Sequence, residues 1–244
     1  AAYHEEKDAH CTVAAIPVPV SQASQYGIIQ IDDDWRIVGF QEKPASPAPI
    51  PRNEHFALAS MGNYIFKRDV LESELHRDAQ DAGSSHDFGR NVLPALVSGG
   101  NLFAYNFHAN RVPGMRGEYN TYWRDVGAIQ SYFEANMDLR RVHPMLDLYN
   151  PAWPIRSREL YLPPPKFVHN DPHTSRGTAR IGRAINSVVS EGGIVSGSLV
   201  EDSVLGPKVR VHSYATVQNS ILLEDVDIGE GALVRNAIID KHVR

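Results

Sequence analysis

Glu42 and Lys43, followed at once by Pro44, put a carboxylate and an ammonium at the end of an apolar run, Trp35–Phe40. A lysine held between a strand end and a rigid proline can present its charge to a phosphate. The glutamate beside it can accept hydrogen bonds from sugar hydroxyls. By spacing alone the plainer reading, a surface Glu-Lys pair at a strand exit, wins. Three further clusters could carry chemistry. Ser60-Met61-Gly62 is small enough at the start of a strand for backbone to approach a ligand closely. Ser84-Ser85-His86-Asp87-Phe88-Gly89-Arg90 precedes a helical pattern, so Ser85 or Asp87 can cap that helix, and Asp87 can also bind a sugar hydroxyl. No nucleophile pattern surrounds His86, which reads as structural. Tyr122-Trp123-Arg124-Asp125-Val126-Gly127 also leads into a helix. One carboxylate there, Asp125, can help hold a hard cation such as Mg²⁺, can cap the helix, or can do both. Asp32-Asp33-Asp34 lies directly between two strand patterns and reads as a solvated hairpin turn.

The elements that must position these groups follow from periodicity. Cys11–Val18, Tyr26–Ile31, Trp35–Phe40, Ala59–Phe66 and Leu102–Phe107 read as strands. Val70–Arg77, Phe88–Ser98 and Gly127–Leu139 read as helices, the last with Ile129, Phe133 and Met137 on one face. Alternation of strands and helices predicts an α/β layered domain. Pro44–Pro51, with four prolines, is an extended loop, and Asn110–Thr121 is a Gly-containing loop able to cover a pocket. Pro144–Lys166, with six prolines, reads as a connector, and Asn150-Pro151-Ala152-Trp153-Pro154-Ile155-Arg156 and Leu162–Phe167 as staples holding it against both neighbouring domains.

From Val188 the helical pattern stops. Aliphatic residues recur at Val188, Ile194, Val200, Leu205, Val211, Val217, Leu222, Ile228, Val234 and Ile239, in steps of six, six and five. A second register of small or slim residues runs in phase: Gly192, Ser198, Ser203, Val209, Ala215, Ser220, Val226 and Ala232. Such hexapeptide periods predict a solenoid whose coils each turn three flat faces and bury one aliphatic residue per face. Antiparallel hairpins would give a period of two instead.

Composition narrows the partners. The 244 residues carry a formal net charge of −5 and no long basic run, which argues against nucleic acid or an anionic membrane as partner. A single cysteine, Cys11, excludes an internal disulfide and fits a reducing cytoplasm. No apolar run approaches the ~20 residues of a membrane span, and no signal peptide is visible at the start. Ala1–Lys7 reads as the tail of a helix without a Met, and the repeat is still running at Arg244, so the sequence reads as part of a longer protein.

Taken together and in this order, the motifs resemble the ADP-glucose pyrophosphorylase (glucose-1-phosphate adenylyltransferase) family over nearly the whole chain. E-K-P alone also occurs in the wider sugar-nucleotidyltransferase superfamily. The set Ser-Ser-His-Asp-Phe-Gly, Tyr-Trp-Arg-Asp-Val-Gly, Trp-Pro-Ile-Arg and Leu-Pro-Pro-x-Lys-Phe-Val is much more specific to the glycogen and starch branch. The resemblance implies a partial α/β, Rossmann-like nucleotidyltransferase domain over 1–143, a proline-rich connector over 144–182 and an incomplete left-handed parallel β-helix over 183–244. It implies ATP and glucose 1-phosphate as substrates, Mg²⁺, a phosphorylated effector, a homotetramer and a cytoplasmic location. Lys43 is then expected on the sugar phosphate, and Gly27, Glu42, Ser60 and Asp87 at the glucose site, with Phe88 and Trp123 shaping it. Asp125 is expected as a metal ligand, and Lys241 at a basic position that helps bind the effector.

The sequence departs from the family at Arg90, where lysine is usual, at Ala128, where threonine is usual, and at Asp8, where glycine is usual. The Gly-rich loop that cradles the ATP phosphates, and a first metal aspartate, are not among these residues, so this stretch alone is expected to be inactive. Three alternatives remain: another sugar-nucleotide pyrophosphorylase, against which Trp-Pro-Ile-Arg argues; a non-catalytic regulatory paralogue, against which Lys43 and Asp125 argue; and a β-helix acyltransferase using His212, which leaves the α/β half unexplained.

Overall fold

A computed structural model describes residues 1–99, 101–115 and 121–244. Residues 116–120, within the loop expected to cover a pocket, lie outside the described residues. The chain divides into two compact units, Ala1–Arg111 and Val112–Arg244.

The first unit is built on a five-stranded sheet: β1 (Cys11–Pro19), β2 (Gly27–Ile31), β3 (Ile37–Glu42), β4 (Phe56–Phe66) and β5 (Leu102–Asn106), in the order β3-β2-β4-β1-β5. Only β1 and β5 run parallel; the other pairs are antiparallel. β1 lies between β4 and β5, and its Cys11, Val13 and Ala15 are fully buried in one cluster with Leu58, Leu93 and Leu102. Burial drives the Cys11 thiol up to about 12, so it packs as a small hydrophobe and is not a nucleophile. The Asp32–Asp34 segment is a turn, as expected, with the Asp32 carboxylate accepting from the backbone of Asp34 and Arg36. The helices are α1 (Ala2–Glu6), α2 (Arg68–Ala79) and α3 (Leu93–Val97), the last entered through a π-helical turn at Phe88–Val92.

Ser60-Met61-Gly62 does not begin a strand, as the sequence suggested, but interrupts one. Val13 of β1 faces Tyr64, and Ala15 faces Ser60, so β4 bulges between those positions. Gly62, at φ +72° and with open space around it, provides the left-handed backbone the bulge needs.

In the second unit, α4 (Ile129–Asp138) starts two residues later than expected. Its proposed apolar face is only partly buried: Met137 is 8% exposed, but Ile129 is 80% exposed. Ile129 instead lines an open cavity of about 830 Å³ with Phe133, Asn219, Asn236 and Ile238. The connector is anchored by buried Asn150, whose amide donates to the Pro113 carbonyl and whose side-chain oxygen accepts from the Ala152 N–H. Trp153 and Ile155, expected to be staples, are exposed.

The repeat is a parallel β-helix of about three coils, with three sheets stacked along it. Each coil lies over the previous one, Leu199 on Thr216 on Leu233, and Val204 on Ile221 on Ile238. Val200, Leu205, Val211, Val217, Leu222 and Ile228 form the interior column. The expected phase is wrong by one residue at the start. Val189 and Val195 point inward instead of Val188 and Ile194, and Gly193 is buried instead of Gly192. The cause is a shorter corner: Val195 lies on Val211, sixteen positions on, while Leu199 lies on Thr216, seventeen on. The stack also begins earlier than 183, because Lys166–Val168 pairs with Ile194–Ser196.

Every corner carries a left-handed residue stacked on its counterpart in the next coil. One column is Asn186, Asp202, Asn219 and Asn236; another is Gly192, Lys208, Asp225 and His242; the third is Gly197, Tyr214 and Gly231. Asn, Asp and Gly dominate because they tolerate this backbone best. A serine ladder reinforces the stack. Ser203 and Ser220 each donate a hydroxyl to the carbonyl two residues back, at 2.7 Å, and accept the N–H of the corresponding residue one coil on. Ser220→Ala leaves the Ala237 N–H without its partner beside a fully buried position. The expected loss is about 1–3 kcal/mol, a melting point several degrees lower by calorimetry. An unchanged melting point contradicts the ladder's role.

Candidate active site

The antiparallel pairing of β2 with β3 sets Gly27 directly opposite Glu42. This placement needs a glycine. A Cβ at Gly27 would stand 2.6 Å from Phe40 Cζ and 3.0 Å from Glu42 Oε2. The same carboxylate oxygen lies 2.9 Å from where a Cβ of Gly89 would be, and Asp87 Oδ1 lies 3.3 Å from that point. The Glu42 and Asp87 carboxylates therefore flank the backbone of Gly89.

Asp87 Oδ1 accepts the Arg90 N–H at 2.9 Å, capping the π-helical turn, which settles one of the two roles open to it. Ser85 does not cap; its hydroxyl donates to Asn91 Oδ1.

Phe88, the next residue, stacks on Tyr64 with centroids 5.6 Å apart and an interplanar angle of 18°. The Ser60 hydroxyl lies close enough to the Tyr64 phenol to favour its ionised form. Burial, above all, raises the Tyr64 phenol above its ordinary value, and the nearby Asp87 and Glu42 charges push it the same way. The phenol is thus a protonated donor at neutral pH. Gly27, Glu42, Ser60, Asp87 and Phe88, expected together from the sequence, are brought together here. Tyr64 joins them. Nothing singled it out in the sequence, because an aromatic at alternate spacing in a strand reads as core.

Two backbone strains mark the site. Lys43 (φ +48°) directly follows Glu42, and His86 (φ +55°) directly precedes Asp87. A left-handed non-glycine residue costs about 1–2 kcal/mol and persists only where its surroundings hold it. At Lys43 the backbone N–H donates to the Tyr26 carbonyl at 3.1 Å, and Pro44 stiffens the next step. The Lys43 side chain is exposed, and among the described residues its ammonium has no ion-pair partner. An exposed cation next to Glu42 in the chain, with two carboxylates and a phenol near by, suits a ligand that is anionic at one end and hydroxyl-bearing at the other.

Trp123 and Asp125 belong to the second unit. Asp125 does not cap α4, whose N-cap is Ala128 with no side-chain bond. Its Oδ1 accepts the Gly127 N–H at 2.9 Å, a local turn, while the carboxylate is exposed and Oδ2 has no partner among the described residues. One free, hard oxygen fits the share of a Mg²⁺ shell that a protein typically supplies when phosphates and water supply the rest. Among the described residues no three His, Cys, Asp or Glu side chains gather to hold a metal on their own. Lys241 is exposed on a turn of the last coil, its backbone N–H donating to Asp240 Oδ1. No described helix is long and apolar enough to cross a membrane.

Two family models match the chain: one described as nucleotidyl transferase, over residues 1–142, and one described as GlmU-like, C-terminal hexapeptide, over residues 163–244. The chain is 48% identical over 242 residues to the glucose-1-phosphate adenylyltransferase of Anaeromyxobacter sp. (strain Fw109-5), covering 99% of this chain and 58% of that protein. It is 50% identical over 217 residues to that of Thermus thermophilus, covering 88% and 51%. Against glucose-1-phosphate adenylyltransferase 1 of Vibrio vulnificus (strain YJ016) it is 44% identical over 241 residues, covering 99% and 57%. The chain thus spans about half the length of the curated relatives it matches. Because the nucleotidyl transferase model covers more than half of its residues, this chain belongs to the nucleotidyl transferase family.

Proposed function

We propose that the whole protein is a glucose-1-phosphate adenylyltransferase, joining ATP and glucose 1-phosphate to give ADP-glucose and diphosphate in glycogen or starch synthesis. The observation that carries this reading is the gathering of the Glu42 and Asp87 carboxylates at Gly27 and Gly89, near Tyr64 and its neighbour Ser60, with the exposed Lys43 next to Glu42 in the chain. The relatives' names supply the sugar and the nucleotide. Residues 1–143 are then the C-terminal part of the catalytic domain, linked through 144–182 to the β-helix.

In this reading a phosphate oxygen of glucose 1-phosphate attacks the α-phosphorus of ATP. One P–O bond forms as the bond to diphosphate breaks, and no protein nucleophile is needed. Lys43 holds the sugar phosphate and lowers the repulsion between two anions that must meet. Glu42 and Asp87 accept from glucose hydroxyls, and Tyr64 donates. Gly27 and Gly89 keep the space beside them clear, and Phe88 and Trp123 wall the sugar. Asp125 offers its free oxygen to Mg²⁺, which when bound neutralises phosphate charge. Lys241 takes part in binding a phosphorylated effector. A homotetramer in the cytoplasm completes the reading.

Gly27→Ala tests the crowding directly. Its Cβ displaces Phe40 or Glu42, so KM for glucose 1-phosphate is expected to rise roughly tenfold, the equivalent of one weakened hydrogen bond of about 1.4 kcal/mol. Unchanged KM removes Gly27 from the site.

The function is tested by assaying the purified full-length protein with glucose 1-phosphate and each of ATP, GTP and dTTP. Turnover with ATP is expected. Preference for GTP or dTTP points to another sugar-nucleotide pyrophosphorylase, and no turnover with any of them points to a non-catalytic paralogue.

A further inference from the structure

The mechanism leaves Asp78 unused, yet its side chain is only 7% exposed and fully engaged. It lies at the end of α2, in its last turn. Its Oδ1 accepts the Ser84 hydroxyl at 2.6 Å, and its Oδ2 pairs with His86 Nδ1 at 2.8 Å. The Ser84 oxygen in turn accepts the His86 backbone N–H at 3.0 Å. These three bonds close a ring through Asp78, Ser84 and His86. The ring encloses the one left-handed residue of the segment, His86. Asp87 leaves the ring next, and its carboxylate stands beside Glu42 and Gly89. A second set of bonds fixes Asp87 from its other side, through the Arg90 N–H and Asn91 Oδ1.

We propose that Asp78 is a positioning residue: by holding Ser84 and His86 it keeps His86 in its left-handed backbone and so aims Asp87 into the sugar site. The Ser84 hydroxyl, and secondly His86, hold the Asp78 carboxyl below its ordinary range, so it is a charged acceptor at neutral pH. Accepting the Nδ1 proton also leaves the lone pair of the neutral His86 ring on Nε2. The ring of bonds does not touch substrate. It acts only on where one substrate carboxylate sits, so its effect must be selective for the sugar.

This inference rests on the proposed adenylyltransferase activity, and the test separates the two. In the full-length enzyme, Asp78→Asn keeps the size but loses the charge and one acceptor. KM for glucose 1-phosphate is expected to rise about tenfold, equal to about 1.4 kcal/mol, with KM for ATP within about twofold of the parent. His86→Asn places an amide donor near the Nδ1 position and tolerates left-handed backbone, so it is expected to retain near-parental KM for both substrates. If Asp78→Asn does not fold, Ser84→Ala removes two of the ring's three bonds, leaves the Asp78–His86 pair in place, and is expected to raise the sugar KM about threefold, selectively. Equal change in both KM values, or change in neither, overturns the positioning role while the parent still turns over. A parent inactive with glucose 1-phosphate overturns the activity, and this role with it.

Discussion

Lys43→Ala in the full-length enzyme is expected to raise KM for glucose 1-phosphate by roughly one to two orders of magnitude, the range of a charge-assisted hydrogen bond, and KM for ATP far less. The expectation rests on the exposed ammonium having no internal partner among the described residues. Because it supports no ion pair in the fold, its removal costs little stability, and the effect falls on the ligand. The left-handed backbone at Lys43 also favours a small or flexible residue, so Lys43→Gly is a useful companion that removes the charge without added strain. Steady-state kinetics varying each substrate in turn separates the outcomes. Equal increases for both substrates contradict a role on the sugar phosphate.

Asp125→Asn is expected to act on turnover, lowering kcat by roughly 10²-fold or more, as for other groups that stabilise developing charge. The substitution is nearly isosteric. The remaining side-chain oxygen can still accept the Gly127 N–H, so the local turn is preserved. What is lost is the charge on the free oxygen, which is the property a hard cation requires. Turnover unchanged at saturating Mg²⁺ removes Asp125 from the metal site.

The sequence reports some of this architecture better than the rest, for physical reasons. The coil is legible because each face buries one aliphatic residue at a fixed step, and Leu205, Val217 and Leu222 fall where the period puts them. The phase slip at Val189 and Val195 is not legible, because Val188 and Ile194 are equally aliphatic and only the pairing register distinguishes them. The same ambiguity hides Tyr64. Its alternation suits a core strand, and its place beside Glu42 and Asp87 depends on a bulge at Gly62 that no local pattern locates to the residue. Glu42 is visible as a type, but its place beside Gly27 and Gly89 is tertiary. Asp78, one residue past the helix expected over Val70–Arg77, is singled out by no local pattern; only the turn back through Ser84 and His86 shows what it accepts. Trp153 and Ile155 mislead in the other direction, since large apolar residues in a proline-rich segment suggest packing that the described residues do not show.

The most direct measurement is a crystal structure of the full-length enzyme with glucose 1-phosphate and Mg²⁺. The sugar phosphate should lie about 3 Å from Lys43 Nζ, with glucose hydroxyls on Glu42 and Asp87 and the Mg²⁺ on the Asp125 carboxylate. A sugar phosphate bound away from Lys43, or a Mg²⁺ that does not touch Asp125, contradicts the account.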